Sequence, residues 1–317
     1  VADAMFWLGR YIERADALTR LVREVLAGVI DVRTEKQQAA HWLLGAQINT
    51  EDITLEDAAF DIHQAFFVRD APGGFSELID AIMRNARATP DYLSDDSWRA
   101  LVNLEQMINR IAWMKRSDAG RLLDQVDLIL MQLAAVSGLN NDTMSRTYAN
   151  CFMDIGRHLE RASKTLILLN YAFQSLKPQD ISQWEMVLEV TDTVMTYRRR
   201  YRTRLHPTAI LDLLLLDADT PRSISYLAAR LEKLVNTLPV QQLGSRKTQL
   251  QQTAFAIHAN LQMAAIDNYM TTQGSAKRPL IENLDQMIEQ LAGLGEAITL
   301  AYFSHADVPQ HLVKVGR

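Results

Sequence analysis

Residues 3–18, DAMFWLGRYIERADAL, return in altered form at residues 150–165 as NCFMDIGRHLERASKT. At about 100° per residue, Met5, Leu8, Ile12 and Ala15 fall within an arc of about 80°. Phe152, Ile155, Leu159 and Ala162 occupy the same arc in the second stretch. Trp7, Tyr11, Leu18 and Leu21 widen the apolar surface of the first, so residues 3–33 read as one long, largely buried helix.

The register between the two stretches extends well past them. Gly9, Arg10, Glu13 and Arg14 correspond to Gly156, Arg157, Glu160 and Arg161, each 147 residues on, and Asp70 and Ser76 correspond to Asp217 and Ser223 at the same offset. Further along, LLDQVDLILMQLA (122–134) resembles LIENLDQMIEQLA (280–292) at offset 158, so the second copy carries extra residues, placed around TTQGSAKRP (271–279). The chain is expected to be an internal duplication, residues 1–142 and 143–317, folded into one unit. That period is too long for a solenoid. The Ser94–Trp98 stretch, SDDSW, is expected to cap a helix reaching about Lys115. Thr220 with Pro221 is expected to start another that ends before Pro239. No stretch alternates as a strand would. The fold class is therefore all-α, a helical bundle of two pseudo-symmetric repeats with five or six helices each.

Composition agrees with long helices and few turns, since only 13 glycines and 8 prolines occur in 317 residues. Apolar residues make up 48% and charged residues 22%, as in globular proteins. A single cysteine, Cys151, forms no intramolecular disulfide, and neither a charged leader with an apolar core nor a run of 18 apolar residues is seen. The expectation is a cytoplasmic protein without a membrane span. A net charge of −5 argues against generic nucleic-acid binding while leaving room for a local basic site.

The repeated cassette mixes packing residues with charges. Gly9, Ala15, Gly156 and Ala162 are small, and a mid-helix glycine costs about 1 kcal/mol against alanine, which points to close helix approach. Within one helix Arg10 attracts Glu13 and repels Arg14, each by about 0.2–0.5 kcal/mol, so the charges gain little locally and call for partners elsewhere. Two readings follow. In the structural one, Glu13 meets Arg161 and Glu160 meets Arg14 across the pseudo-twofold axis. In the functional one, Arg10, Arg14, Arg157 and Arg161 offer forked donors to a carboxylate or phosphate.

Residues 197–206, YRRRYRTRLH, hold five arginines. Arg198, Arg199, Arg200 and Arg202, flanked by Tyr197 and Tyr201, form a basic island suited to an anion, or a solvated helix end. The first copy has nothing similar, as its counterpart is EDITLED (51–57). The loop DADTPRS (217–223) reads mainly as a helix cap. No His-x-x-x-His or Glu-x-x-His spacing, phosphate loop, Gly-x-Ser-x-Gly elbow or cysteine-nucleophile motif is seen, so no metal or cofactor is expected. Asp154, His158 and Arg161 share one helix face.

The doubled Glu-Arg cassette, TYRRRY (196–201) and LDLLLLDADTPRSISYLAARLEKL (211–234) together resemble the bacterial Alpha-E family, helical domains with a Glu-Arg motif, over essentially the whole chain. The match falls on Glu13-Arg14 and Glu160-Arg161, while the first repeat departs at DAPGGFS (70–76), where it lacks the Pro-Arg-Ser helix start. The resemblance implies company: a circularly permuted ATP-grasp protein, a transglutaminase-like cysteine peptidase and, in some cases, a proteasome-like peptidase, in systems read as making or processing peptides by amide ligation. It implies no settled catalytic role. The leading expectation is a non-catalytic accessory protein that binds the ligase or an anionic amino-acid or peptide ligand. One alternative is an acyl-transferring or hydrolytic enzyme with Glu13 or Glu160 as general base in an inter-repeat cleft. The other is RNA binding through the arginine island.

Overall fold

The computed structural model describes residues 1–45, 58–69, 71–114, 118–202, 204–239, 247–264 and 277–303. Among these, the secondary structure is helical throughout: α1 (Ala2–Ile30), α2 (Thr34–Gly45), α3 (Ala58–Phe66), α4 (Phe75–Arg87), α5 (Asp95–Ala112), α6 (Ala119–Thr143), α7 (Tyr148–Ser175), α8 (Ile181–Val190), α9 (Val194–Tyr201), α10 (Pro207–Leu211), α11 (Ile224–Thr237), α12 (Gln249–Met263) and α13 (Lys277–Tyr302). A 3₁₀ turn at Pro90–Tyr92 and a π turn at Asp212–Leu216 complete it, and no strand occurs among the described residues. The fold is all-α, as the periodicity requires. Among its described residues the second half holds seven α-helices where five or six were expected, because the chain between α8 and α11 breaks into two short ones.

Two long helices form the axis. Met5, Leu8, Ile12 and Ala15 of α1, and Phe152, Ile155, Leu159 and Ala162 of α7, are all buried in one continuous core. The helices cross in contact at the glycines: a Cβ on Gly9 would lie 2.2 Å from the Met153 carbonyl oxygen, and one on Gly156 2.1 Å from that of Phe6. Only a missing side chain admits this approach, which brings each glycine Cα against the opposite backbone in a geometry suited to weak Cα–H···O contacts. Around the axis, α1 packs on α4 and α6, and α7 packs on α11 and α13.

Helix starts follow their caps. Ser94 accepts from the Ser97 N–H at the start of α5, Asp118 from Arg121 at α6, and Thr248 with Gln251 forms a full capping box on α12. At α11 the expected cap is displaced. Ser223, not Thr220, accepts the Tyr226 N–H at 3.1 Å, and the Thr220 hydroxyl turns back to Asp217 Oδ2 at 2.9 Å. The Ser223 N–H to Thr220 carbonyl bond closes a turn around Pro221 before the helix begins. At α4 the N-cap is Gly74 with no side-chain bond, the weaker start foreseen for DAPGGFS. Asp70, residues 51–57 and most of the 271–279 insertion lie outside the described residues.

One described helix, α6, is long and apolar enough to cross a bilayer by length and composition. It buries a stripe of Leu122, Val126, Ile129, Leu133 and Val136 against α1 and α5, and turns Arg121, Asp124 and Asp127 outward. That is the pattern of a core helix with one wet face.

Candidate functional site

The charges of the cassette find their partners across the α1–α7 crossing. Arg161 grips Glu13 with two parallel N–H donors, Nε to Oε1 and Nη2 to Oε2, the latter at 2.8 Å. On the other side Glu160 receives Arg10 Nε at 2.8 Å, Arg14 Nε at 2.7 Å and Arg14 Nη2 at 3.1 Å. Both carboxylates are buried, Glu13 at 3% and Glu160 at 2% exposure, whereas the arginines reach partway to solvent. Burial alone would push the Glu160 carboxyl up, but the donors and charges of Arg14 and Arg10 outweigh it and hold it below the ordinary carboxylate range. That opposes a general-base role, since a carboxylate with a lowered pKa is a weak base and both its oxygens are engaged. The guanidinium of Arg10 also lies 5.3 Å from the Trp7 ring centroid, and that of Arg14 5.3 Å from Tyr11.

The two clusters differ around this shared motif. Beside Glu13, Arg222 approaches Asp16 at 3.4 Å and Glu13 at 3.9 Å, and Arg20 holds Asp16 at 3.0 Å. Burial would raise Asp16, but Arg222 and Arg20 draw it below its usual value. Beside Glu160 there is Lys164 instead. Its pKa is pushed down, chiefly by burial and then by Arg14 and Arg10 against the pull of Glu160.

Outward from Arg161, α7 and α11 diverge into a cleft of about 1110 Å³, floored by Cys151, Asp154, Arg157, His158 and Arg161. The facing wall is one side of α11, where Tyr226, Arg230, Lys233 and Thr237 succeed one another at helical spacing, and Arg146 with Asn141 closes the end. Among the described residues five cations thus line the cleft with one carboxylate, Asp154. Arg161 is already neutralised by Glu13. Among the described residues Arg146 bonds only to carbonyl oxygens, the Asn141 backbone at 3.0 Å and the Asn150 side chain at 3.4 Å. Arg230 and Lys233 make no ion pair among the described residues. The buried Nε of Arg157 has no hydrogen-bond partner, although its Nη1 reaches Asn141 Oδ1 at 3.3 Å and Asp154 at 3.7 Å. An anion with two or more acceptors meets several unsatisfied donors here.

His158 and Cys151 are quieter. His158 Nδ1 lies 2.6 Å from the Asp154 carbonyl oxygen, which only accepts, so Nδ1 carries the hydrogen. Burial, with Arg157 and Arg161 nearby, pushes the imidazole down to about 4, leaving it neutral at pH 7. Burial pushes the Cys151 thiol up, against use as a nucleophile. Among the described residues no group of three or more His, Cys, Asp or Glu side chains is placed to hold a metal.

The arginine segment falls outside the cleft and divides by role. Tyr197 is buried at 1% exposure, with its hydroxyl donating to the Arg204 carbonyl at 3.2 Å and accepting from the His206 N–H at 3.1 Å, so it anchors the turn and presents no face for a ligand to stack on. Tyr201 donates to Asp212 at 2.5 Å, Arg200 is ion-paired with Asp217, and Arg198 reaches Glu185 at 3.4 Å. Arg202 ends α9 in the left-handed conformation at φ 51°. Arg199 and Arg202 stand exposed without ion pairs among the described residues. Of the six segment residues expected at an anion site, the other four hold protein partners, and Arg204, outside that set, is exposed as well. Conversely Arg146, Arg230 and Lys233 carry the cleft and were absent from the expected set. The signal in the sequence was the i, i+4, i+7 spacing of Tyr226, Arg230 and Lys233, which gains meaning only once that face of α11 is known to oppose α7.

The Alpha-E family model, described as a predicted alpha-helical domain with a conserved ER motif, matches residues 1–303. An uncharacterized protein of Mycobacterium bovis is 27% identical over 274 residues, covering 78% of this chain and 30% of its own length. An uncharacterized protein of Mycobacterium tuberculosis is 26% identical over 274 residues with the same coverage. The chain therefore spans about 30% of the length of the curated relatives it matches. No solved structure matches it.

Proposed function

The chain belongs to the Alpha-E family, and we propose that it is a non-catalytic helical component of an ATP-grasp-based peptide-ligation system, whose α7–α11 cleft holds an anionic amino-acid or peptide ligand. The observation that carries the reading is the excess of cations over carboxylates in that cleft, with Arg230, Lys233 and the Arg157 Nε unsatisfied by the protein. In a partly enclosed site such donors bind carboxylates more strongly than they would at an open surface. The partners proposed are a circularly permuted ATP-grasp ligase and a transglutaminase-like cysteine peptidase. That the relatives carry this helical unit within much longer chains fits work alongside other activities. Two repeats, residues 1–142 and 143–317, are proposed as the origin of the fold, supported by the reciprocal packing of α1 and α7.

The test has two parts. Calorimetric titration of the wild type with a Glu–Glu dipeptide should give saturable binding that weakens with salt, and Arg230→Ala/Lys233→Ala should weaken it at least about tenfold with an unchanged helical spectrum. Adding the wild type to the ATP-grasp ligase should raise ADP release across an amino-acid and dipeptide panel, and the double variant should not. Equal binding by the double variant, or loss on Arg199→Ala/Arg202→Ala instead, would overturn the placement. Unchanged ADP release would overturn the ligase role.

A further inference from the structure

A second concavity, on the opposite flank of the α1–α7 crossing, differs in character from the cationic cleft. It has a volume of about 630 Å³, within the range of about 300–1,000 Å³ typical of small-ligand sites. Leu18 and Leu21 of α1, Phe66 of α3, Leu78 of α4, and Leu168 of α7 give it apolar walls. Among the described residues two charged groups line it, both cationic: Arg14 and Lys164. Arg14 commits Nε and Nη2 to Glu160, which leaves Nη1 for another acceptor. Lys164 makes no hydrogen bond or ion pair among the described residues.

Arg14 and Lys164 share this flank with Arg10 and one buried carboxylate, Glu160, so positive charge stays in excess there and an anion would offset it. The walls decide what kind of anion. A free phosphate or a di-acid would leave the leucines and Phe66 uncovered and lose hydration against them. A zwitterionic amino acid would bring an ammonium group against Arg14 and Lys164, where the Glu160 carboxylate is already taken up by Arg10 and Arg14. We propose that this groove is a binding site for a monocarboxylate carried on an apolar chain, its head between Lys164 Nζ and Arg14 Nη1 and its chain along Leu18, Leu21, Phe66 and Leu168. The lowered pKa of Lys164 agrees with a cation held away from water, and a bound carboxylate would raise it again. The site is independent of the α7–α11 cleft and stands or falls separately from it.

Titration of the full chain with octanoate and decanoate tests this, with octylamine, octanol and phenylalanine as comparison probes. Decanoate is expected to bind saturably at one per chain and more tightly than octanoate, while octylamine, octanol and phenylalanine fail to saturate. Lys164→Met should weaken decanoate at least about tenfold without changing the helical spectrum, as loss of the charged partner in a partly desolvated pair requires. Arg230→Ala/Lys233→Ala should leave decanoate untouched. Binding by Lys164→Met equal to wild type would reduce the effect to partition into apolar surface and overturn the proposal. Loss of binding in the Arg230/Lys233 variant would move the carboxylate to the other cleft, and saturable binding of phenylalanine would refute the exclusion of zwitterions.

Discussion

Adding one methyl group to Gly9 tests the axis of the fold, because two effects of opposite sign act on it. Alanine is favoured over glycine inside a helix by about 1 kcal/mol. Against this, the new Cβ would stand 2.2 Å from the Met153 carbonyl oxygen and 3.0 Å from its carbon. Contacts of that kind begin near 3.0 Å, so the oxygen is about 0.8 Å too close, and it belongs to backbone that cannot rotate away. The helices must part, and both cross-helix ion-pair clusters ride on their separation. Overpacking costs about 1–3 kcal/mol where side chains can give way, and here they cannot, so about 4 kcal/mol is the fitting figure. Net of propensity, Gly9→Ala should lose about 3 kcal/mol. Gly138 in α6 and Gly293 in α13 are internal controls: nothing lies within 4 Å of a Cβ on either. Gly138→Ala should gain about 0.5–1 kcal/mol. Urea unfolding at 25 °C followed at 222 nm reads both from the midpoints, provided the slope is unchanged. The Gly9→Ala/Gly156→Ala double variant should lose less than the two singles added, since helices parted by the first methyl have room for the second. A Gly9→Ala midpoint at or above wild type would refute the close-contact argument.

The ion pairs at the same crossing should be unequal. Arg161→Met strands the buried Glu13, whose remaining cation, Arg222, is 3.9 Å away, and should cost about 3–5 kcal/mol in urea unfolding. Arg10→Met leaves Glu160 its two bonds from Arg14, so it should cost visibly less; equal losses would contradict the hydrogen-bond assignment. His158 predicts a pH dependence of definite sign. Its folded pKa lies at about 4, below the unfolded value of 6.5, so between these limits the unfolded chain binds the extra proton and stability falls as pH falls. The full effect is on the order of 3 kcal/mol and levels off below pH 4. Asp16 and Glu160, drawn below ordinary carboxylate values, contribute stability that is lost only at lower pH, as acid protonates them. His158→Gln should flatten the profile between pH 6.5 and 4, and an unchanged slope in that variant would place the titration elsewhere.

Helix positions were legible in the sequence because helix formation and one-sided burial are local, periodic properties. Met5, Leu8, Ile12 and Ala15 announce their buried face by spacing, and Ser94 its helix start by chemistry. The glycines announced a close crossing for a similar reason: an unfavourable residue at matching positions of two similar stretches needs a packing cause, and Met153 and Phe6 supply it. The start of α11 was misread by three residues because Thr220 and Ser223 are equally good caps, and Asp217 captures the first. The arginine segment looked like the strongest anion site because charge density along a chain takes no account of Asp217, Asp212 and Glu185, which lie 11 to 17 residues away and take up Arg200, Tyr201 and Arg198.

The sequence by itself determined an all-α chain, its two long apolar helices and glycines that call for close helix approach. Each is written in spacing along one helix or in matching positions of two. Only the tertiary structure decided where charge remains uncompensated. Arg230 and Lys233 gain a cleft because α11 turns that face toward α7, and Lys164 gains an apolar groove because α1, α3 and α4 close around it. Electrostatic compensation is a sum over neighbours in space at distances of a few ångströms, and no linear pattern contains that sum.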